Sequence, residues 1–450
     1  MQFNNIRQLF SLDKFPFLSY NTYKTSKFII FEVLYVNHRN FYHEVITMLY
    51  ESLYHIYYKS PADWEKEYSQ RFHSAAARHL PVSISQYGRQ QEHPAFFCYT
   101  EEIALLQDKI MNGFHQFTQT AGSLPPMAMP LYLHTCLIDE IKSSNDIEGV
   151  RSTRKEIIDA LNRPVQERSS LRLGNLVSQY EKIIDGAKLN LNSSQDIRRL
   201  FDDFIYDEIK REEPHNLPDG KIFRRDSVDI VSASQKTVHR GLYPEAKIIA
   251  YMDNALAILN DDTLPIFIRV AIFHYLFGYI HPFYDGNGRL SRFITAYYLT
   301  QRLHPAVALG LSVLIKNQRS KYYKLFTITD ADCNRGDLTP FITGMLEFTV
   351  EALQNTSYAL QEKLANYESC LPKLTKLDLP NKTTNHLCDL LLQGTIFSPH
   401  GLSMKDLQKY LDKSENTIYA HLKKIPAELL LVDSRTKNYL YKLRYTHSQE

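Results

Sequence analysis

The run from 264 to 280 is apolar on nearly every side, with Ile266, Ile268, Val270, Ile272, Phe273, Leu276, Phe277 and Ile280 inside one helix length. A helix with no polar face has to be surrounded by other helices, so this one belongs at the centre of a bundle. A second apolar helix is expected over Leu290–Leu299, burying Leu290, Phe293, Ile294 and Tyr297. The chain that joins them reads His281-Pro282-Phe283-Tyr284-Asp285-Gly286-Asn287-Gly288-Arg289-Leu290-Ser291-Arg292. Two core helices and a charged, glycine-bearing turn between them point to a mainly α fold with its chemistry at the heart of the bundle.

The remaining periodicity predicts helices over 100–117, 131–145, 153–161, 173–189, 194–208, 245–260, 306–315, 319–326 and 338–365. Ile222–Val231 reads as a short strand or hairpin arm, closed by Gly241 and Pro244. A chain of 450 residues exceeds one ordinary core, so two or three domains are expected. Residues 1–95 are assigned to an N-terminal region packing on the core, with a helix start at Ser60-Pro61-Ala62-Asp63. The core occupies 96–370, a lysine-rich linker with Pro372 and Pro380 occupies 371–382, and a small domain occupies 383–450. In that domain Ser403 caps a helix with Asp406 at the capping-box position, a second helix covers Ser414–Ile425, and two strands finish the chain.

Composition narrows the class. Hydrophobic residues are 44% and charged residues 23%, values of a soluble folded protein, and a net charge of +2 neither demands nor excludes nucleic acid. Arg7 and Lys14 interrupt the N-terminal apolar residues, which lack the form of a signal peptide, and no charge-free run reaches membrane-span length. The five cysteines are scattered without metal-ligand spacing, which fits a reduced, cytoplasmic compartment.

The turn supports phosphate chemistry on residue grounds alone. Gly286 and Gly288 permit backbone angles closed to other residues. With Asn287 and the free N–H groups of a new helix, they make a nest for phosphate oxygens. Arg289 and Arg292 lie three apart, project from a similar face, and can clamp the outer phosphates of a nucleotide. Asp285 either holds Mg2+ between phosphates or braces the turn. Neutral His281 can take a proton from an attacking hydroxyl. Phe283 is read as a core anchor, and Asn287 as a helix cap that also holds the loop open.

HPFYDGNGRLSR resembles the signature of the Fic (Fic/Doc) family, histidine-proline-phenylalanine-x-acid-glycine-asparagine-glycine-arginine-x-x-arginine, at every defined position. The resemblance implies a Fic-type helical bundle over about 100–350 with a short β-hairpin flap, and transfer of AMP from ATP to a protein Ser, Thr or Tyr hydroxyl. It implies His281 as base, Asp285 as Mg2+ ligand, Gly286, Asn287 and Gly288 as anion nest, and Arg289 and Arg292 on the β and γ phosphates. Ser144-Asn145-Asp146-Ile147-Glu148-Gly149 resembles the family's inhibitory helix motif. This implies a helix near 133–149 in which Ser144, Glu148 and Gly149 act, with Glu148 pairing Arg292; a surface helix end capped by glycine is the plain alternative.

The hairpin at about Val228–Gly241 resembles the family's target-docking flap, with Val228 and Ile230 as pocket residues and an edge on which a target strand can pair. After the signature, Tyr322 and Tyr323 either line the adenine pocket or pack in the core, and Gln318 stands where relatives often carry asparagine. The C-terminal unit resembles a winged helix–turn–helix. Lys405, Lys409, Lys413, Lys423, Lys424, Arg435 and Lys437 could meet DNA phosphates, with Asn416, Thr417, Tyr419 and His421 as base readers. Protein docking or dimer packing is the alternative. The expected reaction is AMP transfer to a target protein or to the chain itself. The competing readings are other nucleotide transfer, AMP removal, and a nucleotide-sensing transcriptional regulator; an intact His281 favours an enzyme, because sensing phosphate needs no base.

Overall fold

A computed structural model describes residues 50–231, 237–377, 379–434 and 439–444. Most of the N-terminal region, the middle of the hairpin, Arg435 and Lys437 lie outside the described residues. From residue 52 onward the chain forms one unit.

It opens with α1 (Leu53–Lys59) and α2 (Pro61–Phe72), the latter started by proline as its sequence suggests. An antiparallel hairpin follows, β1 (Ala77–Ile84) with β2 (His93–Cys98). The sequence reading does not anticipate it, because Pro81 and a register shift between His79 and Ser83 break the alternation. The hairpin is tied down from the far end of the core. Phe96 N–H donates to the Gly336 carbonyl at 3.0 Å and its own carbonyl accepts from Leu338 N–H at 2.8 Å.

The bundle then runs α3 (Glu101–Gly122), α4 (Ala128–Ile147), α5 (Arg154–Leu161), α6 (Gly174–Ile184), α7 (Ser194–Phe204) and α8 (Tyr206–Glu212). The helix expected over 194–208 is two helices, broken at Ile205 with φ −139°. The break turns Ile205 against the glycine turn and re-aims the chain so that α8 delivers Glu208 to the site. The strand expected over 222–231 shrinks to β3 (Asp229–Val231), paired with β4 (Thr237–Arg240). Its first half is not extended because the N–H groups of Lys221, Ile222 and Phe223 all donate to the Glu245 carboxylate, at 3.0, 2.6 and 2.9 Å.

Next come α9 (Glu245–Leu259), α10 (Ile266–Ile280) and α11 (Asn287–Leu299). Every residue of α10 except Arg269 and Gly278 is buried, as an all-round apolar helix must be. The helix expected over 306–315 divides into α12 (Pro305–Ala308) and α13 (Leu311–Asn317), followed by α14 (Arg319–Asp330) and α15 (Thr339–Thr375). Helix α15 corrects the linker: it continues through Pro372 to Thr375. The buried side chains of Tyr367, Cys370 and Leu374 hold that last stretch against the body. The C-terminal unit comprises α16 (Lys382–Phe397), β5 (Leu402–Ser403), α17 (Met404–Leu411), α18 (Glu415–Leu422), β6 (Leu430–Asp433) and β7 (Leu440–Leu443), with the strands ordered β5-β7-β6. It does not hang on a free tether. Gln393 Oε1 accepts from Met127 N–H at the start of α4 at 3.0 Å, and Lys363 Nζ on α15 donates to the Ile396 carbonyl at 2.6 Å.

Candidate active site

Helix α10 ends in His281, which adopts φ 50° and so turns the chain sharply. Phe283 then plunges into the core, fully buried and stacked on Phe201 at 4.0 Å between ring centroids. Asn287 closes the loop on itself: its amide N–H donates to the Phe283 carbonyl at 2.8 Å and its amide oxygen accepts from Phe283 N–H at 3.0 Å. That side chain is therefore spent on bracing the turn. Gly286, at φ 82°, is required twice over, since a Cβ there would lie 2.0 Å from Ile205 Cδ1.

The charged groups converge on this turn. Arg289 is buried and donates to Glu208 Oε1 at 2.6 Å, with Asp285 Oδ2 3.5 Å away on its other side. Burial works against its charge, but Glu208 and then Asp285 outweigh it and the guanidinium is held above its ordinary value. Asp285 also accepts from the Gly286 N–H, so it braces the turn while its side chain stays about a third exposed, at 35%. Sequence reasoning missed Glu208; it sits among the alternating charges of a short amphipathic helix, and nothing local marks it.

Arg292 is equally buried, and α4 supplies its partners. Glu148 Oε1 lies 2.8 Å from Nη2, Ser144 Oγ accepts from Nε at 3.1 Å, and the Ser144 carbonyl accepts from Nη2 at 2.9 Å. A Cβ built on Gly288 would lie 2.0 Å from Glu148 Oε1. The carboxylate thus covers the second glycine of the turn as well as the arginine. Gly149 ends the segment at φ 75°, in the left-handed region glycine favours.

His281 is half-buried. Burial, then the positive surroundings of His239 and Arg224, push the imidazole down to about 3, so the ring is neutral at ordinary pH. Arg224, also missed from sequence, is fully buried behind it and bonds only carbonyls: those of His281 at 2.9 Å, Leu242 at 2.8 Å, Ile280 at 3.4 Å and Asp226. Burial lowers this guanidinium to about 10. The signal in the sequence was ambiguous, since Arg224 and Arg225 are neighbours and only one turns inward.

Of the two readings of Tyr322, the structure has it in the core. It is buried, and its hydroxyl bonds His274 Nε2 at 2.7 Å beneath Arg292. Tyr323 stands exposed, near the charges of Glu148 and Arg292. Gln318 is occupied by Glu351 at 2.8 Å. On the hairpin, Val228 and Ile230 are half-buried, whereas Val231 and Val238 are exposed. In the C-terminal unit His421 is bonded to Thr384 at 2.8 Å and Thr417 to Ser414 at 2.8 Å, leaving Asn416 and Tyr419 exposed.

Two cavities of about 410 and 220 Å3 flank the segment 188–191 and share Tyr297, and neither contains a residue of the 281–292 turn. At the turn, Glu148 occupies the space over Gly288. No group of three or more metal-ligating side chains occurs among the described residues. A carboxylate such as Asp285 can still share Mg2+ with substrate phosphates, which is how that ion is usually held. No described helix is long and apolar enough to cross a membrane.

The Fic/DOC family model matches residues 192–299, from the start of α7 through the turn to the end of α11. Residues 192–299 form a Fic/DOC domain. The protein adenylyltransferase Fic of Drosophila melanogaster is 37% identical over 94 residues, covering 21% of this chain and 17% of that protein. That of Drosophila virilis is 37% identical over 83 residues, covering 18% and 15%. The match therefore spans about a sixth of the length of these curated relatives. Among solved structures, a Fic family protein from Desulfovibrio desulfuricans G20 is 19% identical with a TM-score of 0.47, covering 78% of this chain and 98% of that one. A Fic-1 fragment from C. elegans is 16% identical with a TM-score of 0.40, covering 58% and 74%. The Fic turn of this chain carries its histidine, acid, two glycines and two arginines in one cluster, with Ser144 and Glu148 brought to it from outside the matched segment.

Proposed function

We propose that the protein transfers AMP from ATP to a hydroxyl of a target protein or of itself, and that Glu148 restrains this reaction. The observation that carries the reading is a half-buried, neutral imidazole beside a turn of two glycines and two arginines. The hydroxyl oxygen attacks the α-phosphorus, its proton passes to His281, and the bond to pyrophosphate breaks. Arg289 and the backbone N–H groups of 286–288 take the β-phosphate side, and Arg292 takes the γ-phosphate once Glu148 releases it. Asp285 would hold Mg2+, which supplies charge neutralisation between the phosphates when bound. The β3–β4 hairpin, whose outer edges pair with no other strand among the described residues and whose Val231 and Val238 are exposed, is read as the surface on which a target strand pairs. The C-terminal unit is read as a winged helix, with exposed Asn416 as a polar contact.

Restraint follows from the same geometry. A carboxylate on Arg292 and over Gly288 removes the γ-phosphate grip and puts negative charge where the triphosphate must lie. ATP bound beside it would have its α-phosphorus out of line with the incoming hydroxyl. The Glu148→Gly protein, incubated with ATP and Mg2+ and weighed intact, is expected to gain one adenylyl group or more, and the parent to gain far less. Adding His281→Ala should abolish the gain while labelled ATP still binds. A gain of phosphate mass instead would point to the competing phosphoryl-transfer chemistry, and no gain from Glu148→Gly on any offered target would sink the reading.

A further inference from the structure

The end of α10 hands its carbonyls to the hairpin segment. A helix end leaves such groups without helical partners. Here the Tyr279 carbonyl accepts from His239 Nε2–H at 2.7 Å, on β4. That of Ile280 accepts from Leu242 N–H at 3.1 Å and from Arg224 Nη2 at 3.4 Å. Arg224 takes the next two alone: His281 through Nε at 2.9 Å and Pro282 through its backbone N–H at 3.3 Å. Its remaining donors reach Asp226, before β3, and Leu242, after β4. One side chain therefore bridges the entry to the hairpin, the exit from it, and the turn that bears the catalytic imidazole.

Stability alone gives poor grounds for this arrangement. A guanidinium buried against carbonyls, with no carboxylate beside it, is costly to desolvate. What it offers is a rigid planar fork that fixes several chain segments relative to one another. The segment most in need of fixing is His281, whose φ of 50° lies in the left-handed region that a residue with a Cβ disfavours. The hairpin exit presses on both partners: a Cβ on Gly241 would lie 2.3 Å from Arg224 Nη2 and 3.0 Å from His281 Cβ.

We propose that Arg224 is a positioning residue for His281, setting the direction of the imidazole from the same hairpin that is read as the target-docking surface. Its consequence for catalysis rests on the AMP-transfer reading; its effect on the ring does not. The test places Arg224→Lys and Arg224→Gln in the Glu148→Gly protein. Lysine keeps a charge but loses the fork, and glutamine loses both. Nitrogen-15 NMR of labelled histidines reports which ring nitrogen of His281 carries the proton.

In both variants the His281 ring signals should shift away from those of the Glu148→Gly parent, more so for glutamine, while those of distant His304 stay put. AMP transfer should fall in kcat by on the order of 100-fold, as a misaligned base would cause, with the Kd for ATP unchanged. Unmoved His281 signals with a lowered melting temperature would reduce Arg224 to a structural brace and overturn the proposal. If the Glu148→Gly parent transfers no AMP, the functional reading fails by itself and the ring signals alone decide. Should neither Arg224 variant fold, Gly241→Ala displaces the fork by one methyl group. It is expected to give the same His281 signature, and an unchanged ring there would equally overturn the assignment.

Discussion

Around the turn, single side chains hold opposite charges out of water at close range. Arg289 and Glu208 form a pair in which both members are almost wholly buried, yet Arg289 Nε and Glu208 Oε2 have no hydrogen-bond partner among the described residues. Such a pair is costly to assemble and more costly to halve, because the survivor is left as an uncompensated buried charge. Glu208→Ala is therefore expected to lower stability by about 3–5 kcal/mol, measured by urea unfolding. Glu208→Gln, which keeps a hydrogen-bond acceptor, should cost less. If the alanine variant unfolds at the parent's midpoint, the pair contributes nothing net. The turn's own residues were readable in sequence because they are contiguous. Glu208 was not, because it is 81 positions away from Arg289 and arrives only through the break at Ile205.

On the scale of elements, α4 ties the candidate site to the rest of the bundle. Its far end presents Ser144 and Glu148, and its middle buries Glu140 without a basic partner in bonding distance. That carboxyl accepts from Ser312 N–H at 3.0 Å, from the Ser312 hydroxyl at 2.5 Å and from the Tyr180 hydroxyl at 3.3 Å. Burial raises it from 4.5 to about 7, against the opposing pull of these hydrogen bonds and of Arg292. An acid whose folded value is raised binds its proton better in the folded state. Its stabilising share is present below its unfolded value and is lost as pH rises through the folded one. Glu140→Gln removes that loss, since the amide cannot ionise. Its melting temperature is expected to exceed the parent's at about pH 8, and the two should converge near pH 5. A gap that stays constant over that range would mean Glu140 does not titrate there. The sequence showed α4 as an amphipathic helix ending in a glycine cap, but an internal glutamate on such a helix reads as a solvated face until the neighbours that bury it are known.

At the scale of the whole molecule, the C-terminal unit is packed on the bundle rather than tethered to it. Helix α15 spans 37 residues and carries the chain from the hairpin-tied end of the core to that unit. Besides Gln393 and Lys363, Tyr367 on α15 donates to Asp389 on α16 at 2.7 Å. Segments sharing buried surface and hydrogen bonds in this way should melt together. Calorimetry of the full chain should show residues 53–444 unfolding in a single main transition, with no earlier melting of the C-terminal unit. Deleting the chain from Lys376 should lower that transition by several °C, on the order expected for losing a few kcal/mol. A separate early transition that the deletion removes, leaving the main one in place, would mean the unit folds alone.

The amino-acid sequence by itself determined the helical class, the central pair α10 and α11, the glycine-and-arginine turn between them and the start of most helices. Those features depend on neighbours within a turn or two of helix: periodicity, caps, glycines, and a twelve-residue cluster of chemical groups. Only the tertiary structure decided that Arg224 and Glu208 bond to the turn, that Tyr322 lies buried beneath Arg292, and that α15 runs through Pro372 to meet the C-terminal unit. Each of those outcomes depends on which distant segment buries a polar side chain and supplies its partner, and local pattern carries no record of that.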